Sequence, residues 1–153
     1  MKAVKILWIL ALIGVAANAK NENVGTVNMP LYKKECGSCH MAYQPALLNK
    51  NSWNAMMDNL QNHFKTDASL EPKQTMQIKE YLAAGAMGRG ATVYEKISSQ
   101  EWFIKEHRKL PSRYVTQQSV KSWANCGACH TKAEQGMYGE RYINVPGYGR
   151  WED

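Results

Sequence analysis

Beyond its first twenty residues, the sequence has no apolar run long enough to cross a bilayer. It has only two phenylalanines, four cysteines and four histidines in 153 residues. It has no block of arginine and lysine interleaved with aromatics, since its basic residues are scattered. The first absence leaves no candidate for an internal membrane segment, and the last argues against nucleic acid as a partner. Bulky aliphatics are sparse after the N-terminus, so a chain of this length builds a thin core. A large, flat, apolar cofactor would fill that gap.

The first nineteen residues read as a leader. Lys2 and Lys5 supply positive charge, Ile6 to Ala16 form a short apolar run, and Ala17-Asn18-Ala19 offers the small residues of a cleavage site. A secretory signal peptide cut after Ala19 is expected, with a retained N-terminal anchor as the other reading. Export implies an oxidising compartment, where cysteines rarely stand idle. Losing Lys2 and Lys5 from 19 basic residues leaves 17 against 13 acidic ones, a net charge of +4.

All four cysteines fall in two copies of one pattern. ECGSCH runs from Glu35 to His40, and NCGACH from Asn125 to His130. A disulfide, a zinc site, a redox dithiol and a covalent haem all use paired cysteines. Zinc sites draw their pairs from roughly 12–20 residues apart, whereas 86 residues lie between Cys39 and Cys126. A thioredoxin-like dithiol wants a strand before the motif, and none is expected here. A simple disulfide leaves His40 and His130 unexplained. Covalent haem accounts for every part: Cys36 and Cys39, and again Cys126 and Cys129, place two thiols for one porphyrin, and the following histidine faces the iron. The intervening residues are small, so the ring can lie against the backbone.

A haem iron held by His40 or His130 needs a second axial ligand for six-coordination, and histidine and methionine are both used. Two histidines remain, His63 and His107, for two irons. Seven methionines follow Met1, so methionine is not excluded by count. Context favours histidine: His63 ends a helical pattern, and His107 follows Trp102, Phe103 and Ile104 on another. Chain order pairs His40 with His63 and His107 with His130, and a crossed arrangement stays open.

The chain reads as mostly α. Helices are expected over Leu31–Tyr43, Ser52–Phe64 and Pro72–Ala86, with Trp53, Met56, Met57 and Leu60 packing inward at helical spacing. Ala83–Val93 reads as a glycine-rich linker. Two further helices follow, Ser99–Lys109, with a capping-box pattern at Ser98 and Glu101, and about Gln118–Gln135. The tail from Gly136 reads as irregular coil over the second haem. The first half, residues 20–88, has the order of a small helical cytochrome c domain; the second, 89–153, is a less regular helical haem domain. Lys105, Arg108, Lys109 and Arg113 read as a solvated face, with Arg108 or Arg113 as candidates to pair with haem propionates.

The blocks LYKKECGSCHMAYQPALL, SWNAMMDNLQNHF, EWFIKEHRKLPS and VKSWANCGACHTKAEQG resemble the bacterial periplasmic dihaem cytochrome c family, from about Leu31 to Gly136. The resemblance implies two closely spaced bis-histidine c-type haems. It implies a monomeric periplasmic carrier that exchanges electrons with a membrane b-type cytochrome and, in some members, with a small high-spin cytochrome c. Cys36, Cys39, Cys126 and Cys129 match the family's attachment positions, and His40, His63, His107 and His130 its axial ones. Two rivals belong to other classes. One is a haem enzyme of peroxidase or nitrogen-oxide reductase type, with His107 as a labile ligand. The other is a small electron-donor subunit of a periplasmic reductase.

Overall fold

A computed structural model describes residues 23–88 and 96–151. The expected leader lies outside the described residues, as does the Arg89–Val93 part of the expected Ala83–Val93 linker, whose first three residues, Ala83–Gly85, instead complete the helix Pro72–Gly85. Among the described residues the chain forms helices α1 (Pro30–Cys36), α2 (Lys50–Met57), α3 (Pro72–Gly85), α4 (Glu101–His107) and α5 (Arg113–Thr116). Short 3₁₀ turns join them, and one antiparallel hairpin, β1 (Asn144–Val145) with β2 (Gly149–Arg150), closes the chain. None of these helices is long and apolar enough to cross a membrane.

The first half holds a protein-only core. Pro30 and Pro72 sit in the first turns of α1 and α3, where a missing N–H costs nothing. Asn49 caps α2 by accepting from Ser52 N at 2.8 Å. Helices of 7, 8 and 14 residues are too short to persist alone, so packing must hold them. Leu48, Trp53, Met57, Ile78 and Leu82 form one buried cluster with Val27, Tyr32 and Leu60. Each large apolar side chain so buried contributes about 1.5–3 kcal/mol before entropy is counted. Trp53 also donates its indole N–H to the Pro45 carbonyl at 2.7 Å, so α2 is pinned to the segment after the first CxxCH. Met56 and Met57 belong to this packing, as their spacing predicts.

Several expected helices stop early. α1 ends at Cys36 rather than Tyr43. Gly37 N bonds the Lys33 carbonyl at 3.0 Å, and a Cβ at Gly37 would strike that carbonyl. Glycine there serves this tight turn. The helix expected through Phe64 ends at Met57, and a separate turn, Leu60–Asn62, delivers His63. α4 starts after Gln100, with no side-chain cap from Ser98 or any other residue. No helix spans Gln118–Gln135. Lys121 takes a left-handed φ of 70°, and the segment folds as bends with 3₁₀ turns at Cys126–Ala128 and Ala133–Gln135. The tail is more ordered than coil, carrying a turn at Glu140–Tyr142 as well as the hairpin.

The halves are stitched at named points. Val24 N donates to Gly136 O at 2.9 Å. Gly136 has φ +72°, and a Cβ there would collide with the Gly25 backbone. Gly136→Ala should therefore lose both the backbone freedom and the close approach, at about 2–3 kcal/mol. Thermal unfolding should show a Tm lowered by roughly 10 °C; an unchanged Tm would mean that this docking contributes nothing.

Candidate haem sites

The four cysteines are unpaired thiols. Burial pushes the Cys36 and Cys126 thiols up to about 11, with a neighbouring acid or thiol adding to it, and raises Cys129 as well. A redox dithiol relies on a lowered thiol pKa, so this environment does not suit one. Among the described residues, no three His, Cys, Asp or Glu side chains converge as a protein-only metal site requires.

In the first site, Cys36 ends α1, Cys39 lies exposed on the following turn, and His40 is half-buried. His40 Nδ1 lies 2.8 Å from the Met41 carbonyl. A carbonyl only accepts, so Nδ1 carries the proton and Nε2 keeps a free lone pair, the form that ligates metals. The ring stacks on Tyr43 at 4.7 Å and 23°. His63 faces it, with ring centroids 6.2 Å apart. The chain leaves His63 through a tight turn in which Thr66 N bonds His63 O at 3.0 Å. Its two central residues, Phe64 and Lys65, hold φ of 50° and 74°, a geometry that favours glycine and asparagine.

In the second site, the 3₁₀ turn Cys126–Ala128 brings His130 N to within 2.8 Å of Cys126 O, which gathers the motif on one turn. His107 is the last residue of α4. Its Nδ1 bonds the Phe103 carbonyl at 2.8 Å, again leaving Nε2 for a ligand role. Phe103 stacks on it at 3.9 Å, and Trp123 meets it edge-on at 5.4 Å. His107 and His130 face each other with centroids 6.1 Å apart. Burial lowers the His130 pKa to about 4, and the neighbouring His107 pushes it the same way. Burial also lowers that of His107. Both shifts favour the neutral ring, the form that metal ligands take.

Both spacings fit an iron between two imidazoles. Nitrogens about 2.0 Å from a metal on opposite sides put the ring centroids roughly 6 Å apart. The walls fit as well. A cavity of about 430 Å³ opens between His107 and His130, lined by Cys126 and Cys129 and by an apolar shell that includes Phe103, Val115, Val120 and Val145. Among the described residues, those four are the large apolar side chains that the second half buries, so its core is the wall of a cavity. Trp102 Nε1 lies buried in that wall without a hydrogen-bond partner among the described residues. A buried indole N–H is rarely orphaned, and an occupant with an acceptor group would satisfy it. Among the described residues, no methionine lines this cavity. A second cavity, of about 410 Å³, lies beside Cys39, His40 and Met41, and the 120–127 segment with Glu134 supplies its far side.

The structure thus brings the ring of each CxxCH histidine within 6.2 Å, centroid to centroid, of the extra histidine of its own half, in chain order rather than crossed. Arg108 and Arg113 do not line the cavity: Arg108 bonds the Lys105 carbonyl, and Arg113 lies over Tyr114. Sequence reasoning missed Phe103, Trp123 and Trp102 as site residues. The Trp-Phe pair before His107 was the available clue.

The sequence matches the dihaem cytochrome c family over residues 32–138. No curated protein matches it. Three solved structures are similar. A dihaem cytochrome type c from Shewanella baltica is 43% identical, over 80% of this chain and 97% of that one, with a TM-score of 0.73. A dihaem cytochrome c purified from Rhodobacter sphaeroides is 42% identical over 74% and 99%, with a TM-score of 0.67. Another structure from Rhodobacter sphaeroides is 39% identical over 74% and 98%, with a TM-score of 0.69.

Proposed function

This chain belongs to the dihaem cytochrome c family and carries two c-type haems, and from that premise we propose that four histidines complete both irons of a one-electron carrier. Cys36 and Cys39 would attach one haem, with His40 and His63 as axial ligands. Cys126 and Cys129 would attach the other, with His130 and His107. The observation that carries this reading is the pair of imidazole separations, 6.2 and 6.1 Å. Bound haem supplies reversible one-electron chemistry, and bis-histidine ligation holds its potential below that of a His/Met site.

The protein's own part is to hold ligands still and keep other molecules off the irons. Carbonyls of Met41 and Phe103 fix the tautomer and ring orientation of His40 and His107. Phe103 and Trp123 wall His107 on two sides. That packing favours a carrier over an enzyme in which His107 swings away to open a substrate site. The chain would be exported with its leader removed and work in the periplasm as a monomer. Its donor would be a membrane b-type cytochrome, and its acceptor a small high-spin cytochrome c or a similar protein. A donor subunit of a reductase would instead co-purify with its enzyme.

Low-temperature EPR of the ferric protein tests the ligation, with haem content fixed by pyridine haemochrome on the same sample. The expected result is two haems per chain and two low-spin signals of bis-histidine type. A stoichiometric high-spin signal would mean an open iron and would overturn the carrier reading for that haem.

A further inference from the structure

Gln44 is fully buried, four residues after His40, yet both of its polar atoms are spent on the other half of the chain. Its Nε2 donates to the Ala133 carbonyl at 2.7 Å, and its Oε1 accepts from Tyr138 Oη at 2.8 Å. The partner ring, Tyr138, packs edge-on against His130 at 5.2 Å. On the near side, Tyr43 stacks on His40 and donates its hydroxyl to Ala124 O at 2.6 Å, two residues before Cys126. Two adjacent residues therefore reach from the first CxxCH turn to both flanks of the second. A buried primary amide with no water to fall back on is a costly choice unless both bonds are made. A short, fully satisfied network of this kind fixes one relative placement of the groups it joins.

We propose that Gln44, with Tyr43 and Tyr138, is a clamp that sets the distance and orientation between the two haem sites. Gln44 is the positioning residue, acting through Tyr138 on the His130 side and through the backbone of Tyr43 on the His40 side. The proposal rests on the reading that His40 and His130 are axial ligands. It adds that their mutual placement is fixed by this three-residue clamp rather than by general packing between the halves.

Three variants test it: Gln44→Leu, which removes both bonds at similar volume; Tyr138→Phe, which removes one bond and keeps the ring on His130; and Ile78→Val, a control in the first-half core that carries none of the clamp's hydrogen bonds. Two readouts are made on the dihaem protein, the magnetic interaction between the two ferric irons by pulsed EPR and the rate at which an injected electron equilibrates between the haems. Gln44→Leu should change the interaction and slow equilibration several-fold, with a smaller change of the same sign in Tyr138→Phe. Ile78→Val should lower Tm and leave both readouts at their wild-type values. If Gln44→Leu does not fold, Tyr138→Phe against Ile78→Val decides alone. Clamp variants that lose Tm but keep wild-type interaction and rate would overturn the proposal. A failure of the ligation reading itself would appear separately, as high-spin iron in the unmutated protein.

Discussion

His107→Ala should convert one of the two irons to a high-spin form and leave the other low-spin. The low-spin EPR intensity should fall by about half, because each iron draws its distal ligand from its own half of the chain. The site around the missing ring should survive: Phe103 and Trp123 flank His107 from their own backbone positions, so truncation leaves an imidazole-sized gap between aromatic walls. Added imidazole should enter that gap and restore the low-spin spectrum, and carbon monoxide should bind the reduced variant where it does not bind the parent. Retention of two low-spin irons in His107→Ala would place the ligand elsewhere. Among the described residues, no methionine lines the cavity to take over, so such a result would point to a rearrangement of α4.

Cys126→Ser with Cys129→Ser should yield a chain with one haem and one ordered half. The second half buries Phe103, Val115, Val120 and Val145 against a cavity of about 430 Å³. At about 24 cal/mol per Å³, leaving that volume empty would cost on the order of 10 kcal/mol, comparable with the whole stability of a small domain. Collapse or unfolding is cheaper than a void of that size. The first half has its own cluster around Leu48, Ile78 and Leu82, none of which lines that cavity. Hydrogen exchange read by mass spectrometry should show protection retained across α2 and α3 and lost across residues 96–151. Protection at the wild-type level in both regions would mean that the second half folds without its occupant.

The sequence was most legible where chemistry and local pattern coincide. Two CxxCH copies and two further histidines marked the two imidazole pairs that the structure brings within 6.2 Å, because haem attachment uses an uninterrupted motif. α3 matched its expected span almost to the residue, since Pro72 starts it and its inner face repeats regularly. The second half was misread for an equally physical reason. Periodicity reports packing against protein, and from Gln118 to Gln135 the chain wraps a cavity instead of a helical partner. Gln44 was invisible because its two bonds reach 89 and 94 residues along the chain, and nothing local marks such a role. The arginines near His107 read as a solvated face, and Arg108 and Arg113 are exposed, because charge beside a ligand in sequence does not place it beside the cavity.

The turn after His63 links backbone strain to the placement of a side chain. Phe64 and Lys65 sit consecutively at positive φ, where a side chain costs about 1–2 kcal/mol each. That cost, roughly 2–4 kcal/mol for the pair, is sustained by the fold around the turn and not by the turn itself. Of the two histidines outside the CxxCH motifs, His63 is therefore set by strained backbone, whereas His107 is set by aromatic packing at the end of α4.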